Sequence, residues 1–204
     1  MKIGILSDTH DDLESIREAV RIFKEKGTSF VIHAGDFIFP GVVDELEKLK
    51  DMLPGVRIIG VLGNNDGEKL MLLKRFIEIG GELKAEFDDR EIDGSRIGTY
   101  HGTSEELREA AIRSGIYDVF IHGHTHKRRN EIVEISLKNE VVIKRIYVLN
   151  PGTAHKNFLN IEKTVEDKPS IIIYNSEDKS YQFIDLNTGE IIEEPLKTSR
   201  YYIW

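Results

Sequence analysis

The segments KIGILSDTH (residues 2–10), FVIHAGD (30–36) and VRIIGVLGNND (56–66) carry the strongest pattern in the chain. Each begins with a short apolar run typical of a buried strand and ends in Asp, His, Asn or Gly residues. Apolar residues at helical spacing separate them, from Leu13 to Phe23 and from Val43 to Leu49. Strands that alternate with helices predict a sheet of parallel strands joined by crossover helices.

The rest of the chain contains further helix signals and shorter strands. A third helix is predicted over residues 70–77. Thr103-x-x-Glu106 matches a capping box, which predicts a helix that ends near Ser114. The remaining apolar runs are read as strands, with two hairpins of which the first turns near Lys138-Asn139: residues 82–87, 90–92, 96–100, 119–121, 128–149, 170–174 and 181–186.

The length of 204 residues and the 40% of hydrophobic residues suit one domain with a sizeable core. A polar stretch at residues 162–169 is the candidate boundary between a main domain of residues 1–165 and a C-terminal hairpin and tail of residues 166–204. We expect the hairpin and tail to pack on the main domain. The apolar end at residues 201–204 either packs there too, which we favour, or meets a partner subunit.

The overall charge and the absence of cysteine exclude several kinds of site. The formal net charge of -8 argues against a dedicated nucleic-acid surface, although bound metal ions would still attract a nucleotide or a short diester. Without cysteine there is no disulfide, thiolate metal site or cysteine nucleophile. No apolar run reaches the roughly 18–20 residues of a membrane span, and no signal peptide is evident, so we expect a soluble cytoplasmic protein.

Five strand-like runs are followed by residues that can bind a metal ion. They are Asp8-Thr-His10, Gly35-Asp36, residues 63–66, His101 and His124-Thr-His126. In open α/β sheets ligands gather beyond the carboxyl ends of the strands, so we expect the five loops to converge on one crevice. Oxygen and imidazole ligands together suit Mn, Fe, Ni, Zn or Co and suit Ca poorly. The Asp8-x-His10 and His124-x-His126 pairs lie on a loop or an extended strand, and on a strand both members of a pair would turn to one face.

For the other histidines and for a run of cationic residues, we predict structural roles or exposure to solvent. His33 lies inside a strand and His122 lies beside the His-x-His pair. We expect both to support the metal-binding loops through hydrogen bonds and not to bind a metal ion themselves. The cationic residues 127–129 are expected to form a solvated face, and guidance of a phosphate is the alternative. His155 is expected at the surface.

As a set, these blocks resemble the calcineurin-like metallophosphoesterases, whose pattern is Asp-x-His, Gly-Asp, Gly-Asn-His-Asp or a variant of it, His and Gly-His-x-His. Every metal-ligand position of that pattern is filled in order, and the resemblance spans residues 3–153. The short chain, Gly63-Asn-Asn-Asp66 and Asn150-Pro-Gly-Thr153 are most similar to the small prokaryotic YfcE-type branch. The resemblance implies an α/β fold, a four-layer αββα sandwich of two mixed β-sheets flanked by helices.

The resemblance also implies two divalent transition-metal ions per chain, with Mn or Ni favoured. The implied ligands form two groups of three with one shared carboxylate: Asp8, His10 and His126 for one ion, Asn64, His101 and His124 for the other, and Asp36 for both. A hydroxide shared by the two ions would attack phosphorus in line, and the ions would neutralise the phosphate oxygens.

Asn65 stands where many family members have a histidine that contacts the phosphate or protonates the leaving group. An amide donates a hydrogen bond but cannot act as a general acid, so poor leaving groups should suffer most. We therefore predict a phosphodiesterase that acts on a small diester or nucleotide-like substrate, with Asn65 and Asp36 as catalytic residues. Asp66 is expected to cap the following helix, and orientation of Asn65 is its alternative role.

Other functions are kept as alternatives. A phosphomonoesterase would use the same site, and a non-catalytic metal-binding scaffold for protein interaction is disfavoured because the ligand set is intact. Amidohydrolases place a His-x-His pair where this chain has Asp8 and His10, and metallo-β-lactamase sites need His-x-His-x-Asp-His, whereas Lys127 follows His126 here. A homodimer or a larger oligomer is left open.

Overall fold

The computed structural model describes residues 1–138, 141–156 and 168–203. These residues form a mixed α/β structure with two mixed sheets and four helices, which are α1 (Leu13–Lys26), α2 (Gly41–Met52), α3 (Lys69–Glu78) and α4 (Glu105–Arg113). No helix in the described parts of the chain is long and apolar enough to cross a bilayer.

The first sheet has seven strands and contains the parallel unit that the N-terminal segments predict. Its strands are β1 (Lys2–Leu6), β2 (Phe30–His33), β3 (Arg57–Val61), β4 (Glu82–Lys84), β10 (Ser170–Asn175), β11 (Tyr181–Asp185) and β12 (Ile191–Ile192). They are ordered β12-β11-β10-β1-β2-β3-β4. β1 to β4 are parallel, and β10 is antiparallel to β1.

The second sheet has six strands. They are β5 (Phe87–Ile92), β6 (Ser95–Tyr100), β7 (Val119–Ile121), β8 (Arg128–Leu137), β9 (Val142–Pro151) and β13 (Lys197–Ile203). Their order is β13-β8-β9-β7-β6-β5. The central strands β6, β7 and β9 are parallel, so their carboxyl ends lie at one edge, as do those of β1 to β3 in the first sheet.

Three buried apolar clusters hold the layers together. One lies between the two sheets and includes Ile5 and Ile121. A second packs α1 and α2 on the outer face of the first sheet through Phe23 and Leu46, and a third packs α4 on the second sheet through Ile112. Each such side chain contributes about 1.5–3 kcal/mol when fully buried. The predicted four-layer αββα sandwich is therefore confirmed.

The ends of two elements differ from the predicted ones. Ser104, and not Thr103, caps α4, because its hydroxyl accepts a hydrogen bond from the Leu107 amide at 3.2 Å. β9 continues through Pro151, so the first half of the predicted loop at residues 150–153 belongs to a strand. Asn139, at the predicted hairpin turn, and the predicted domain boundary after residue 165 lie outside the described residues.

Candidate metal centre

The predicted ligands lie on loops that leave the carboxyl ends of five strands. They follow the strands in this order: Asp8 and His10 after β1, Asp36 after β2, Asn64 after β3, His101 after β6, and His124 and His126 after β7. Backbone hydrogen bonds join these loops, from the Asp8 amide to the Gly35 carbonyl at 3.0 Å and from the Gly123 amide to the His101 carbonyl at 2.9 Å. The two sheets thus bring all seven residues to one edge of the sandwich.

The ligand pairs are held in tight left-handed turns. φ is 53° at Asp8, 42° at His10, 59° at Asp36, 68° at His124 and 57° at His126. Of the two expected settings for these pairs, a loop or an extended strand, the structure has the loop. Positive φ at residues other than glycine costs of the order of 1–3 kcal/mol each and is concentrated at functional sites, where the surrounding structure imposes it.

One group of four side chains is arranged like the ligands of a single ion. Candidate ligand atoms of Asp8, His10, Asp36 and His126 all lie within 4.8 Å of one another. The Nε2 atoms of His10 and His126 are 3.2 Å apart, and His126 Nε2 lies 3.3 Å from Asp8 Oδ1. Four oxygen and nitrogen donors therefore surround one point, which suits a divalent transition metal.

A second group meets the first at Asp36. His101 Nε2 lies 3.3 Å from Asp36 Oδ2 and 3.1 Å from Asn64 Oδ1. The His124 ring stands edge-on to the His101 ring, with 5.2 Å between their centroids. Because Asp36 Oδ2 is also 3.7 Å from His10 Nε2, this carboxylate lies between the two groups.

The two central carboxylates are buried without a permanent positive charge beside them. Asp8 is 0% and Asp36 is 1% exposed. Their ionic neighbours in the described part of the chain are histidines, and neither has a Lys or Arg partner there. A buried carboxylate is costly unless a cation and hydrogen bonds compensate it. The donor set and its uncompensated charge therefore fit bound metal cations.

The electrostatics of the site favour the protonation states that metal binding needs at Asp36 and His10 and oppose them at His101. Burial would raise the pKa of Asp36, but hydrogen bonds with His101 and Asn65 outweigh burial and hold it below its usual range. Burial lowers the pKa of His10. Burial also acts to lower the pKa of His101, but the carboxylates of Asp36 and Asp8 outweigh it and raise the net value. Ligation requires ionised carboxylates and neutral imidazoles, so protons and metal compete most strongly at His101.

Two glycines make room for the carboxylates. A Cβ atom on Gly63 would lie 2.1 Å from Asp36 Oδ1, and a Cβ atom on Gly123 would lie 1.9 Å from Ser7 Oγ and 2.5 Å from Asp8 Oδ2. Any side chain at either position would displace a predicted ligand. The Gly-Asn and Gly-His motifs therefore have a steric basis.

The model of the calcineurin-like phosphoesterase superfamily domain matches residues 1–177. The chain belongs to this superfamily. Phosphodiesterase MJ0936 of Methanocaldococcus jannaschii is 38% identical over 187 residues, which are 91% of this chain and 99% of the relative. This phosphoesterase is accordingly an enzyme of the metal-dependent hydrolase class that the sequence predicts.

Solved structures agree with this membership. A structure of an archaeal phosphodiesterase superposes with a TM-score of 0.73 at 37% identity, covering 91% of this chain and 99% of the other. YfcE, a phosphoesterase from E. coli, superposes with a TM-score of 0.59 at 20% identity over 94% of this chain and 97% of its own, which shows a shared fold. The predicted resemblance to the calcineurin-like metallophosphoesterases is confirmed.

His33 connects the first two metal-binding loops of the phosphoesterase. The Gly35 amide donates to His33 Nδ1 at 3.2 Å, so the ring proton resides on Nε2, which donates to Thr9 Oγ1 at 3.0 Å. Thr9 Oγ1 donates in turn to the Asp36 carbonyl at 3.2 Å. The ring also stacks on Phe37, with 3.6 Å between centroids. His33 thus supports the backbone on both sides of Asp36.

His122 and Asn150 support the loop that carries His124. Asn150 Nδ2 donates to the Gly123 carbonyl at 2.9 Å and to Thr125 Oγ1 at 3.1 Å, and His122 Nδ1 lies 3.1 Å from the same carbonyl. Burial lowers the pKa of His122 to about 3, so this ring is neutral. Asn150 was not among the predicted site residues. Its position at the carboxyl end of β9 was the available signal.

Asn65 and Asp66 both organise the loop that carries Asp36. The Asn65 amide donates to Asp36 Oδ1 at 2.9 Å, and its side-chain Nδ2 donates to Oδ2 at 2.8 Å. Asp66 accepts from the amides of Gly63 at 2.7 Å, Ile38 at 2.8 Å and Asp36 at 3.2 Å. α3 has no side-chain cap, so the expectation that Asp66 caps it is wrong. Asp66 instead joins the loops after β2 and β3.

The arginines of residues 127–129 are paired and do not form a solvated face. Arg128 pairs with Glu194 at 2.6 Å, and its side chain is 3% exposed. Arg129 pairs with Glu109 at 2.9 Å. Only the side chain of Lys127 in this run is exposed. The expected solvated face is therefore wrong for both arginines.

His155 lies beside the first ligand group and not at the open surface. Its ring is partly buried and edge-on to the His10 ring, with 6.2 Å between centroids. Thr153 brings it there, because Thr153 Oγ1 donates to the Asp8 carbonyl at 2.8 Å and accepts from the His155 amide at 3.1 Å. The same strand-end criterion that identified the ligands would have identified this residue.

Proposed function

We propose that this phosphoesterase is a binuclear metal-dependent phosphodiesterase. The observation that carries the proposal is the pair of buried carboxylates, Asp8 and Asp36, which lie among imidazoles with no Lys or Arg partner in the described part of the chain. Two cations would compensate this charge and use every donor at the site. The 38% identity to a phosphodiesterase over nearly its whole length supports the reaction class.

The proposed ligands keep the two groups described above. They are Asp8, His10 and His126 for one ion, Asn64, His101 and His124 for the other, and Asp36 for both. When bound, two such ions supply an activated hydroxide for in-line attack and neutralise the phosphate oxygens. Mn or Ni is the proposed metal.

The protein side chains position this chemistry. Asn65 holds both oxygens of Asp36, and Asp66 and His33 fix the backbone on either side of that carboxylate. The family resemblance implies a histidine at the position of Asn65 in many relatives. Its amide has no proton to give to an alkoxide leaving group. The proposal therefore favours a small diester or nucleotide-like substrate over a stable monoester.

A combined metal and substrate measurement tests the proposal. The purified chain would be analysed for metal content and then assayed with Mn or Ni on bis(p-nitrophenyl) phosphate, p-nitrophenyl phosphate and cyclic nucleotides. We expect about two ions per chain and a preference for the diesters, since the two-metal site serves diester hydrolysis without a general acid. Absence of metal together with absence of activity after Mn or Ni addition would overturn the assignment of an enzymatic function. A preference for the monoester would overturn the diester assignment.

Cellular location and assembly are further parts of the proposal. We propose a cytoplasmic enzyme, in keeping with the acidic, cysteine-free composition. Fractionation of the source cells tests the location. Size-exclusion chromatography with light scattering decides between a monomer and a homodimer or larger oligomer.

A further inference from the structure

A cationic pocket of about 510 Å³ lies between α4, the start of β8 and β13. Three of its lining residues are acidic, namely Glu105, Glu109 and Glu131. Six are cationic, namely Arg108, Arg113, Lys127, Arg128, Arg129 and Lys197. In a chain of net charge -8, this is a local excess of positive charge. Such a concave cationic site attracts anions.

Half of these cations have no carboxylate partner among residues 1–138, 141–156 and 168–203. Arg108, Arg128 and Arg129 are paired with glutamates. Lys127 and Lys197 make no ion pair with any residue that the structure describes, and Arg113 instead lies over the Tyr201 ring, 4.4 Å from its centroid. The pocket thus keeps three positive charges for another anion.

The pocket adjoins the metal centre. Its wall includes His122, two residues before the proposed ligand His124, and Arg108. Arg108 Cδ lies 3.6 Å from the position of a Cβ atom on Gly102, which directly follows the proposed ligand His101. The pocket therefore lies beside the two loops that carry His101 and His124.

His122 contributes a polar group that the protein itself leaves unsatisfied. The residue is 2% exposed, and its Nε2 atom has no hydrogen-bond partner among the described residues. Its Nδ1 proton donates to the Gly123 carbonyl at 3.1 Å, so the neutral ring leaves Nε2 as an acceptor only. A hydroxyl group or a protonated phosphate oxygen of an occupant would donate to Nε2, while the cations would bind its anionic oxygens.

We propose that this cationic pocket binds a second phosphate of the substrate, next to the phosphate that is hydrolysed. The inference rests on the proposed phosphodiesterase function and narrows its substrate to diesters that carry another phosphate. Lysine and arginine form charge-assisted hydrogen bonds with phosphate, and the three unpaired cations suit one or two negative charges. A terminal phosphate of a nucleotide and the next linkage of a short chain both supply this chemistry.

Two substrates that differ in one group test the proposal. Thymidine 3′-(p-nitrophenyl phosphate) is compared with the same compound bearing a 5′-phosphate, so the scissile bond and the leaving group are identical. We expect a kcat/KM about tenfold higher for the 5′-phosphorylated compound, mainly through KM, at an ionic strength of about 0.15 M. A third compound, with the 5′-phosphate as a methyl diester, distinguishes a terminal phosphate from a chain linkage.

Single charge removals locate the effect. Lys127→Gln and Arg113→Gln should each lower the ratio of the two kcat/KM values several-fold. Lys24→Gln is the matched control, since Lys24 is an exposed lysine in the last turn of α1 on the opposite outer layer. In Lys24→Gln, the ratio of the two kcat/KM values should equal that of the unmodified enzyme. Equal kcat/KM for both substrates, or equal ratios in all variants, would overturn the second-phosphate site.

A binding measurement separates this inference from the proposed reaction. Calorimetry with thymidine 3′,5′-bisphosphate and with thymidine 3′-phosphate needs no turnover. Tighter binding of the bisphosphate that is lost in Lys127→Gln supports the pocket even if neither diester is hydrolysed, an outcome that would overturn only the phosphodiesterase function. Equal affinity for both compounds overturns the pocket and leaves the phosphodiesterase function standing.

Discussion

At the scale of single residues, Asp36 lies between the two proposed ligand groups and has partners in both. Both of its oxygens accept hydrogen bonds from Asn65, and Oδ2 also lies near the Nε2 atoms of His101 and His10. These bonds outweigh burial and keep its pKa below the usual range. Asp36 is therefore ionised at any pH at which the histidines are neutral enough to bind metal.

Replacement of Asp36 tests the shared-ligand proposal. In Asp36→Asn, a neutral amide cannot offer two anionic oxygens to two ions, so we expect diester turnover to fall by roughly 1,000-fold or more and metal content to drop. The kcat for bis(p-nitrophenyl) phosphate and elemental analysis measure both effects. Asp51→Asn, at an exposed position on α2, is the control. Near-normal turnover with two bound ions would contradict a bridging carboxylate.

Asn65 is the residue at which substrate class should be adjustable. Asn65→His restores a group that can protonate a leaving group, so the kcat/KM ratio of monoester to diester should rise about 10- to 100-fold. The ratio is the useful measure because the variant also loses the Asn65 bond to Asp36 Oδ2. Asn65→Gln keeps an amide and should leave the ratio low. An unchanged ratio in the histidine variant would show that this position does not choose the substrate.

His122 should make the fold sensitive to acid. Its folded pKa of about 3 lies below its ordinary value of 6.5, because burial disfavours the charged ring. The unfolded chain therefore binds the extra proton first, and stability is lost as pH falls from 6.5 towards 3, by about 2 kcal/mol at pH 5. Urea unfolding of metal-stripped protein at pH 7.5 and pH 5 should show a smaller loss in His122→Asn. Parallel losses in both proteins would contradict this assignment.

At the scale of elements, the site depends on how strand-end loops are joined. β2 and β3 are adjacent parallel strands, and Asp66 crosses between the loops that follow them by accepting three backbone hydrogen bonds. Burial raises the pKa of Asp66, and those backbone bonds oppose the rise. The loops thus depend on a carboxylate that is not itself a proposed metal ligand and that holds the backbone amide of one, Asp36.

Asp66→Asn should loosen both loops. One carboxylate oxygen becomes an amide group that faces a backbone N–H, so a buried donor loses its acceptor and stability should fall by about 1–3 kcal/mol. Metal release to a chelator should also become faster. Urea unfolding and chelator competition measure the two effects. Asp178→Asn is the control, because a single Asp178 oxygen accepts from Ser180 at an exposed turn and the amide retains such an oxygen. Equal changes in stability and in metal release in the two variants would contradict the proposal that Asp66 joins the two loops.

The sequence predicted the helices and strands better than the contacts between the loops that follow them. The strand ends and the ligand types were readable because buried strands and polar loop residues have local signatures. The roles of Asp66 and Asn150 were not readable, since each depends on loops that only the folded sheets bring together. The same holds for the positive φ of His124, which its tertiary surroundings impose. Ser104 was missed as the cap of α4 because it adjoins Thr103, an equally suitable residue by type.

At the scale of the whole molecule, the C-terminal segment contributes three strands, β10 to β12, to the first sheet and one strand, β13, to the second. β10 pairs with β1, with Asn175 opposite Lys2, and β13 pairs in parallel with β8. Two sheets were predictable from the family resemblance, but these pairings were not, because they join residues far apart in sequence. We propose that residues 166–204 fold as one unit with residues 1–165 and not as a separate domain. Limited proteolysis tests this proposal, because the paired strands of residues 166–204 should then be as resistant to cleavage as the rest of the two sheets.

Removal of residues 199–204 decides what the apolar tail does. In β13, residues 199–203 lie beside β8, where Arg200 pairs with Glu134 at 2.6 Å and Tyr201 packs against the cluster under α4. Loss of this pairing should cost about 2–3 kcal/mol, which lowers Tm by roughly 4–12 °C for a chain of this size. Tyr202→Ser, at a side chain that is 53% exposed, should leave Tm nearly unchanged.

Sizing of the same truncated protein separates packing on the chain itself from packing on a partner. If the tail serves its own sheet, the truncated protein keeps the oligomeric state of the full chain and loses only stability. A truncated protein that dissociates while its Tm stays constant would assign the tail to a subunit interface. Both measurements are needed, because an exposed β8 edge can itself promote association, which would raise the apparent mass and not lower it.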